Sequence, residues 1–302
     1  MGGGSFDSKT YDTYSSTVKD KSHDEIYKSR EMKDHLNPYN VKVRESRDSI
    51  DNPKSTPIIV GLDVTGSMGE IAGLIAREGL GVLFNNILDR KPITNPHVMF
   101  MAIGDAMCDS APLQVSQFEA DNRIVEQLAD IWLEGRGGGN NFESYHLPWY
   151  FAAFHTVHDS MEKRGKRGYL FTMGDEFPPQ PLTPDQVKRV CGDDIQTSLD
   201  AKSLLELAQR SYNVFHIIIE QGNCARANLS PVQKAWRDLM GQHVISLSDY
   251  TKVAETIVSA IQVAEGDTAL NATKGWGAGS KAVHEAVKNL PQSRQPKLLE
   301  KN

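Results

Sequence analysis

One stretch constrains this chain more than any other: Pro57-Ile58-Ile59-Val60-Gly61-Leu62-Asp63-Val64-Thr65-Gly66-Ser67-Met68-Gly69. Its first part is short, apolar and β-branched, and Pro57 and Gly66 bound it, which reads as a buried strand. The strand runs out on Asp63, Thr65 and Ser67 at alternate positions. Alternate side chains of an extended segment face the same way, so three hard oxygen donors aim at one point beyond the strand. After Met68 the apolar spacing changes: Ile71, Leu74, Ile75, Val82 and Leu83 recur at helical intervals up to about Leu88. The oxygens therefore sit on a strand-to-helix turn, where α/β sheets place their ligands. Oxygen-only donors with few carboxylates suit a magnesium ion that keeps some of its waters.

The same alternation continues along the chain. His97 to Ile103, Arg167 to Met173, Val214 to Glu220 and His243 to Leu247 read as apolar strands, and Leu113 to Phe118 as an outer strand. Helical spacing spans Asp121 to Leu133, Tyr145 to Met161, Leu199 to Ser211 and Tyr250 to Ala264. Thr183-Pro184-Asp185-Gln186 has the form of a capped helix start, and Ser230-Pro231 opens a helix holding Trp236. Strands alternating with helices predict an α/β fold, doubly wound, with a mostly parallel central sheet covered by helices on both faces. Residues 1–55 are polar, with scattered tyrosines and no sustained period, and read as an arm that is extended or disordered by itself. Val41 to Arg44 alternates like a short edge strand. Residues 56–265 form the predicted domain, and 266–302 read as a polar tail with one amphipathic helix near Ser280 to Leu290.

Net charge is −6 with no block of like charges, which argues against nucleic acid or an anionic membrane as partner. No apolar run reaches membrane-spanning length, and the opening residues lack the basic and apolar regions of a signal peptide. Phe6 stands where a myristoylation signal needs Ser or Thr. Cys108, Cys191 and Cys224 are odd in number, widely spaced and without a CxxC, so they read as reduced thiols of a cytoplasmic protein.

Two later loops share the geometry of the first. Gly137-Gly138-Gly139-Asn140-Asn141-Phe142-Glu143 feeds a helix, and no Lys follows to make it a phosphate loop. Gly174-Asp175-Glu176-Phe177-Pro178 follows a strand. In a parallel sheet the carboxyl ends of strands share one edge, so these loops can converge. Asp63 and Asp175 would neutralise a dication, with Thr65, Ser67 and an Asn as neutral oxygens. A site with only two carboxylates leaves magnesium able to accept a carboxylate from outside.

Asp63-Val64-Thr65-Gly66-Ser67 resembles the first metal motif, Asp-x-Ser/Thr-x-Ser, of von Willebrand factor A (vWA) domains, whose metal-ion-dependent adhesion site is called MIDAS. The loop at 137–143 resembles the Gly-Gly-Gly-Asp-Thr-Pro-Glu of intracellular members, with Asn141 at the position of the metal-binding Thr and Asn140 in place of Asp. Asp175 with Phe177-Pro178 looks similar to the third motif, and Ala102-Ile103-Gly104-Asp105 to a further family segment. The resemblance covers about residues 56–265. It implies magnesium, or manganese, at Asp63, Thr65, Ser67, Asn141 and Asp175, with Asn140, Asp105 and Glu176 as secondary candidates. It also implies a non-enzymatic adaptor that captures a Glu or Asp of a partner protein, in some members a MoxR-type AAA+ ATPase.

Other residues have two readings. Asp105 and Asp109 form a second cation site or an ordinary loop. His155 and His158 lie one turn apart on the predicted helix and lack a third ligand. Cys108 has nothing cationic adjacent. Two rival functions stand beside the adaptor. A magnesium-dependent phosphoester hydrolase would need a second acid two residues after Asp63, where Thr65 stands. A metal-independent structural protein of a large assembly would use the arm instead.

Overall fold

The apolar strand before Asp63 becomes β2, Thr56–Asp63, and all eight of its residues are buried. Such complete burial requires strands on both sides and helices on both faces, and a computed structural model describing residues 31–76, 80–135 and 140–292 has all of these. Short β1, Arg44–Ser46, precedes it, and β3 (Pro96–Ile103), β4 (Leu113–Val115), β5 (Thr156–His158), β6 (Gly168–Gly174), β7 (Tyr212–Ile219) and β8 (Val244–Leu247) follow. Six strands form one sheet in the order β4-β3-β2-β6-β7-β8, parallel except for β4 at its edge. The fold is thus α/β, with a mostly parallel central sheet.

Helices cover both faces. They are α1 (Glu70–Leu74), α2 (Leu80–Arg90), α3 (Arg123–Ala129), α4 (His146–Phe154), α5 (Asp159–Arg164), α6 (Pro184–Cys191), α7 (Ala201–Ala208), α8 (Asn223–Met240), α9 (Val253–Ala264), α10 (Ala269–Thr273) and α11 (Ser280–Val287). Alternation along the strands sorts the core into two halves. Ile58, Val60, Leu62, Phe171 and Ile217 face α2, α3 and α9, while Ile59, Leu170, Val214 and Ile218 face α4, α7 and α8.

Chain order and strand order together place the site. The chain leaves β2 for β3 on one side, while β6 lies on the other, so a crevice opens between the ends of β2 and β6. Leu62 pairs with Met173, which sets Asp63 level with Gly174 and Asp175 just beyond it.

Several boundaries differ from the sequence expectations. The helix expected over 68–88 comes as α1 and α2, with residues 77–79 outside the description. The helix expected over 145–161 ends at Phe154, because Thr156 and Val157 pair with Arg44 and Glu45 as a two-stranded parallel ladder. His155 closes α4 and His158 caps α5, so the two histidines do not share a helix face. The short strand expected at 41–44 lies at Arg44–Ser46 for the same pairing reason. Helix α8 starts at Asn223, ahead of the expected Ser230-Pro231, and breaks at Asn228 (φ −134°, ψ 34°). Pro231 thus falls in the first turn after the break, where its missing N–H costs little. At Thr183 the capping box forms with Gln186 as the sequence predicts.

Residues on either side of the 56–265 segment also pack on it. Arg47 bonds Asp159 at 2.9 Å, Arg164 bonds Asp48 at 2.7 Å, and His155 Nε2 meets Asp193 at 2.7 Å while its Nδ1 faces the Val41 carbonyl. Past Gly266, Ala272, Val283 and Val287 are fully buried, and Trp276 donates to Ser259 Oγ at 2.8 Å with Arg90 over its ring. The expectations for residues 1–30 and 293–302 lie outside the described residues.

A polar tail would tolerate Val287→Ala without effect. Packing of α11 predicts instead a loss of about 2 kcal/mol, read by urea unfolding. An unchanged midpoint would mean that this helix adds nothing to the core.

Candidate metal centre

The turn after β2 is held by its own side chains. Asp63 Oδ1 accepts the Thr65 N–H at 2.9 Å and the Thr65 hydroxyl at 2.6 Å. Thr65 Oγ1 lies 3.3 Å from Ser67 Oγ, and Ser67 Oγ donates to Asp175 Oδ1 at 2.7 Å. Asp63, Thr65, Ser67 and Asp175 therefore form one connected chain of oxygens across the crevice between β2 and β6.

Each carboxylate has further support from behind. Tyr145, at the start of α4, donates to Asp63 Oδ2 at 2.6 Å. Asp175 Oδ2 accepts the Cys224 N–H at 2.8 Å, at the N-terminus of the long α8, where free N–H groups favour an anion. The Asn223 N–H reaches the Ser67 carbonyl at 3.1 Å and ties that helix to the turn. Two glycines permit this closeness. A Cβ at Gly174 would lie 2.6 Å from Asp63 Oδ2 and would overlap Tyr145, while one at Gly222 would fall on the Asp175 side chain.

Electrostatically the group is unbalanced. Asp63 and Asp175 are both fully buried. Burial, then the nearby charge of Asp175, pushes Asp63 up to about 7 despite its three hydrogen bonds. Asp175 is also raised, chiefly by burial. Glu176 stands beside them, 4% exposed, with Oε2 unpartnered, and burial with the charges of Asp63 and Asp175 pushes it up to about 8. Glu143 is pushed up to about 11 by burial and then by Asp63 and Glu176. Such a cluster needs either protons or a cation.

The donor set fits magnesium. Octahedral coordination at 2.0–2.1 Å puts neighbouring oxygens about 2.9 Å apart. The three links of the oxygen chain, 2.6, 3.3 and 2.7 Å, straddle that value. With protons on Glu143 and Glu176, the charge facing an ion is that of Asp63 and Asp175. Among the described residues no three His, Cys, Asp or Glu side chains surround a common point as ligands. A site here would thus draw on hydroxyls as well as carboxylates.

The remaining sequence candidates are arranged differently. Gly137, Gly138 and Gly139 lie outside the described residues. Asn141 is exposed; its carbonyl accepts the Phe177 N–H at 3.2 Å, and no hydrogen bond joins its side chain to the Asp63 group. Asn140 donates to Asp105 Oδ2 at 2.7 Å rather than to that group. Asp105 also accepts the Met107 N–H, and Asp109 accepts the Asp105 N–H, so the pair braces its own loop. Cys108 donates to Asp105, and burial with these carboxylates pushes its thiol up to about 12, which leaves it unreactive. Tyr145, Glu143, Gly174 and Gly222 were not legible as site residues. Glu143 ends the glycine-loop pattern, but nothing local marks Tyr145 as a partner of Asp63.

No protein-family model matches the chain, and no curated protein matches it. Solved structures similar to it include the pilus adhesin SpaC of Lactobacillus rhamnosus GG in its open conformation, at 9% identity and a TM-score of 0.46. A second structure of that adhesin gives 10% and 0.47. A von Willebrand factor type A protein from Catenulispora acidiphila gives 11% and 0.39. The matches cover 72%, 71% and 70% of this chain, and 31%, 31% and 42% of those chains, so this chain spans less than half the length of each. Among the described residues no helix is long and apolar enough to cross a membrane.

Two predictions follow from the site's geometry and charge. Gly174→Ala should cost about 1–3 kcal/mol by overpacking and should move Tyr145 off Asp63. Urea unfolding would read the loss, and tyrosine absorbance the change of contact. The second concerns pH. Between pH 6.5 and 8, unfolded carboxyls hold essentially no proton, while Glu143 keeps its own, Glu176 holds one over most of the range and Asp63 loses its proton near 7. The folded state then binds more protons, so stability falls as pH rises. The buried histidines His97, His146 and His158, pushed down to about 4, act oppositely, an effect that fades by about pH 7.5 as the unfolded imidazoles lose their protons. The Tm in EDTA should therefore fall from pH 6.5 to 8, and less so in Glu176→Gln. A flat profile in both would mean that the carboxylates are compensated.

Proposed function

We propose that this chain is a vWA-like protein-interaction module, not an enzyme, with a MIDAS-like site that holds magnesium, or manganese, through Asp63, Thr65, Ser67 and Asp175. Asn141, at the position of the family's metal-binding Thr, is a further oxygen donor in this reading. The observation that carries this reading is the continuous oxygen chain from Asp63 through Thr65 and Ser67 to Asp175, set between uncompensated buried carboxylates. When bound, magnesium at this site supplies a coordination position that a carboxylate from another protein can fill. The chain's own residues do the rest. Tyr145 and the N-terminus of α8 fix the two carboxylates, and the hydroxyls of Thr65 and Ser67, which donate to Asp63 and Asp175, would turn those protons aside to offer lone pairs to an ion.

The partner in this reading is a protein offering a Glu or Asp side chain, and the role is that of an adaptor in a larger cytoplasmic complex. A MoxR-type AAA+ ATPase is the partner class that the family resemblance suggests. Nucleic acid and membranes are not partners in this reading, given the net charge of −6 and the acidic site.

Calorimetry with magnesium tests the site. Wild type should bind one ion with proton release at pH 7, and Asp63→Ala should not, with the fold checked by circular dichroism. Equal binding by both proteins, or by neither, would sink the metal site. A partner captured equally well in EDTA would point to the metal-independent scaffold.

A further inference from the structure

A basic side chain stands beside the acidic centre and takes no part in it. Helix α8 begins against the centre: the Cys224 N–H bonds Asp175, the Asn223 N–H reaches the Ser67 carbonyl, and Gly222 leaves no room for a Cβ beside Asp175. On the outer side of that first turn Asn223 and Arg226 are exposed, and their spacing of three puts them on one face. Arg226 Nη2 donates to Asn223 Oδ1 at 2.9 Å. On the turn after β2, Gly66 is exposed and Ser67 half-buried, so the centre opens to solvent there. Asn223 thus links the guanidinium on one side to the mouth of the centre on the other.

Arg226 makes no ion pair among the described residues, although Asp63, Asp175 and Glu176 lie behind the same turn. Those carboxylates are buried, and the Asn223 amide holds the guanidinium outward. Arg189, by contrast, has its guanidinium on the carbonyls of Ala106 and Asp109. A cation in a first helical turn also works against the free N–H groups there, so helix formation does not account for Arg226. One N–H of its fork is fixed by Asn223, which leaves the rest of the fork for a ligand. A guanidinium held in place and lacking a carboxylate matches one as a charge-assisted pair. The chain carries a net charge of −6, so an acidic segment approaching it is repelled until it meets local positive charge. An ion on Asp63 and Asp175 supplies one such point, and Arg226 supplies another.

We propose that Arg226 binds a second carboxylate of the partner segment whose first carboxylate meets the Asp63 centre. This rests on the reading of that centre as an acid-binding metal site. The module then selects a pair of acidic residues at a fixed separation, rather than any single exposed carboxylate. Acidic residues two apart in an extended segment, or three or four apart on a helix, lie on one face and suit this arrangement.

Two sets of blocked peptides test it by fluorescence polarisation on the full chain, with magnesium and with EDTA. One set carries a single Asp among Gly and Ser; the other adds a second Asp at varied distance on either side. The readout is the affinity ratio of two-Asp to one-Asp peptides. In magnesium this ratio should reach about fivefold at the best spacing. Arg226→Gln should bring it near unity at every spacing. Arg226→Lys should give an intermediate ratio, because an ammonium keeps the charge without the fork. Arg226 is exposed, so neither substitution disturbs the core. A ratio that is flat across spacings in wild type, or a raised one that persists in Arg226→Gln, overturns the arginine contact; magnesium-dependent binding of the one-Asp set keeps the metal reading in that case. One-Asp binding that is absent, or equal in EDTA, overturns the metal reading, and two-Asp binding that still depends on Arg226 then leaves the arginine contact standing. Binding by neither set overturns both.

Discussion

Two like charges buried side by side govern this structure. Asp63 and Asp175 end neighbouring parallel strands and are linked through Ser67, and no cationic side chain among the described residues bonds either of them. Water would screen them at the surface, but inside the protein each raises the cost of ionising the other. Everything around them reduces that cost: the Tyr145 hydroxyl, the α8 N-terminus, the Thr65 amide and hydroxyl, and protons held by Glu143 and Glu176. A fold seldom arranges so many groups around two anions unless a cation or a ligand is to meet them.

The sheet makes the arrangement possible and the glycines make it tight. Parallel order brings the ends of β2 and β6 to one edge, and their register sets Asp63 level with Gly174. Any side chain at Gly174 or Gly222 would occupy the space the carboxylates use. Below the site, Tyr145 packs edge-on against Trp236 and His216, and these two rings stack at 3.5 Å. Trp236 donates to the Glu176 carbonyl at 2.8 Å, so the floor of the site belongs to the core and is as rigid as the core.

Much of this was legible in the sequence, for local reasons. The apolar runs from Pro57, at His97 to Ile103, at Arg167 to Met173 and at Val214 to Glu220 are short and bounded by turn residues or charges, as buried strands are, and they became β2, β3, β6 and β7. The alternation Asp63, Thr65, Ser67 is likewise local, and the three side chains do converge. The capping box at Thr183 needs only four residues to form. The long helix expected over 145–161 failed because a ladder with β1, far away in sequence, pulled Thr156 and Val157 into a strand. The pairing of His155 and His158 failed with it. Asn140 turned to Asp105, since a loop side chain takes whichever acceptor the fold brings near.

By itself, then, the sequence determined most element types, the mostly parallel α/β class that their alternation implies and the oxygen donors on the first turn, since each pattern is local or a simple alternation along the chain. Only the tertiary structure decided that Asp175 reaches Ser67, that Tyr145 backs Asp63, and that Glu143 lies buried without a donor. These contacts join residues about 80 to 110 positions apart. They exist because strand order and register bring distant loops to one edge, and no local pattern encodes which loops will meet.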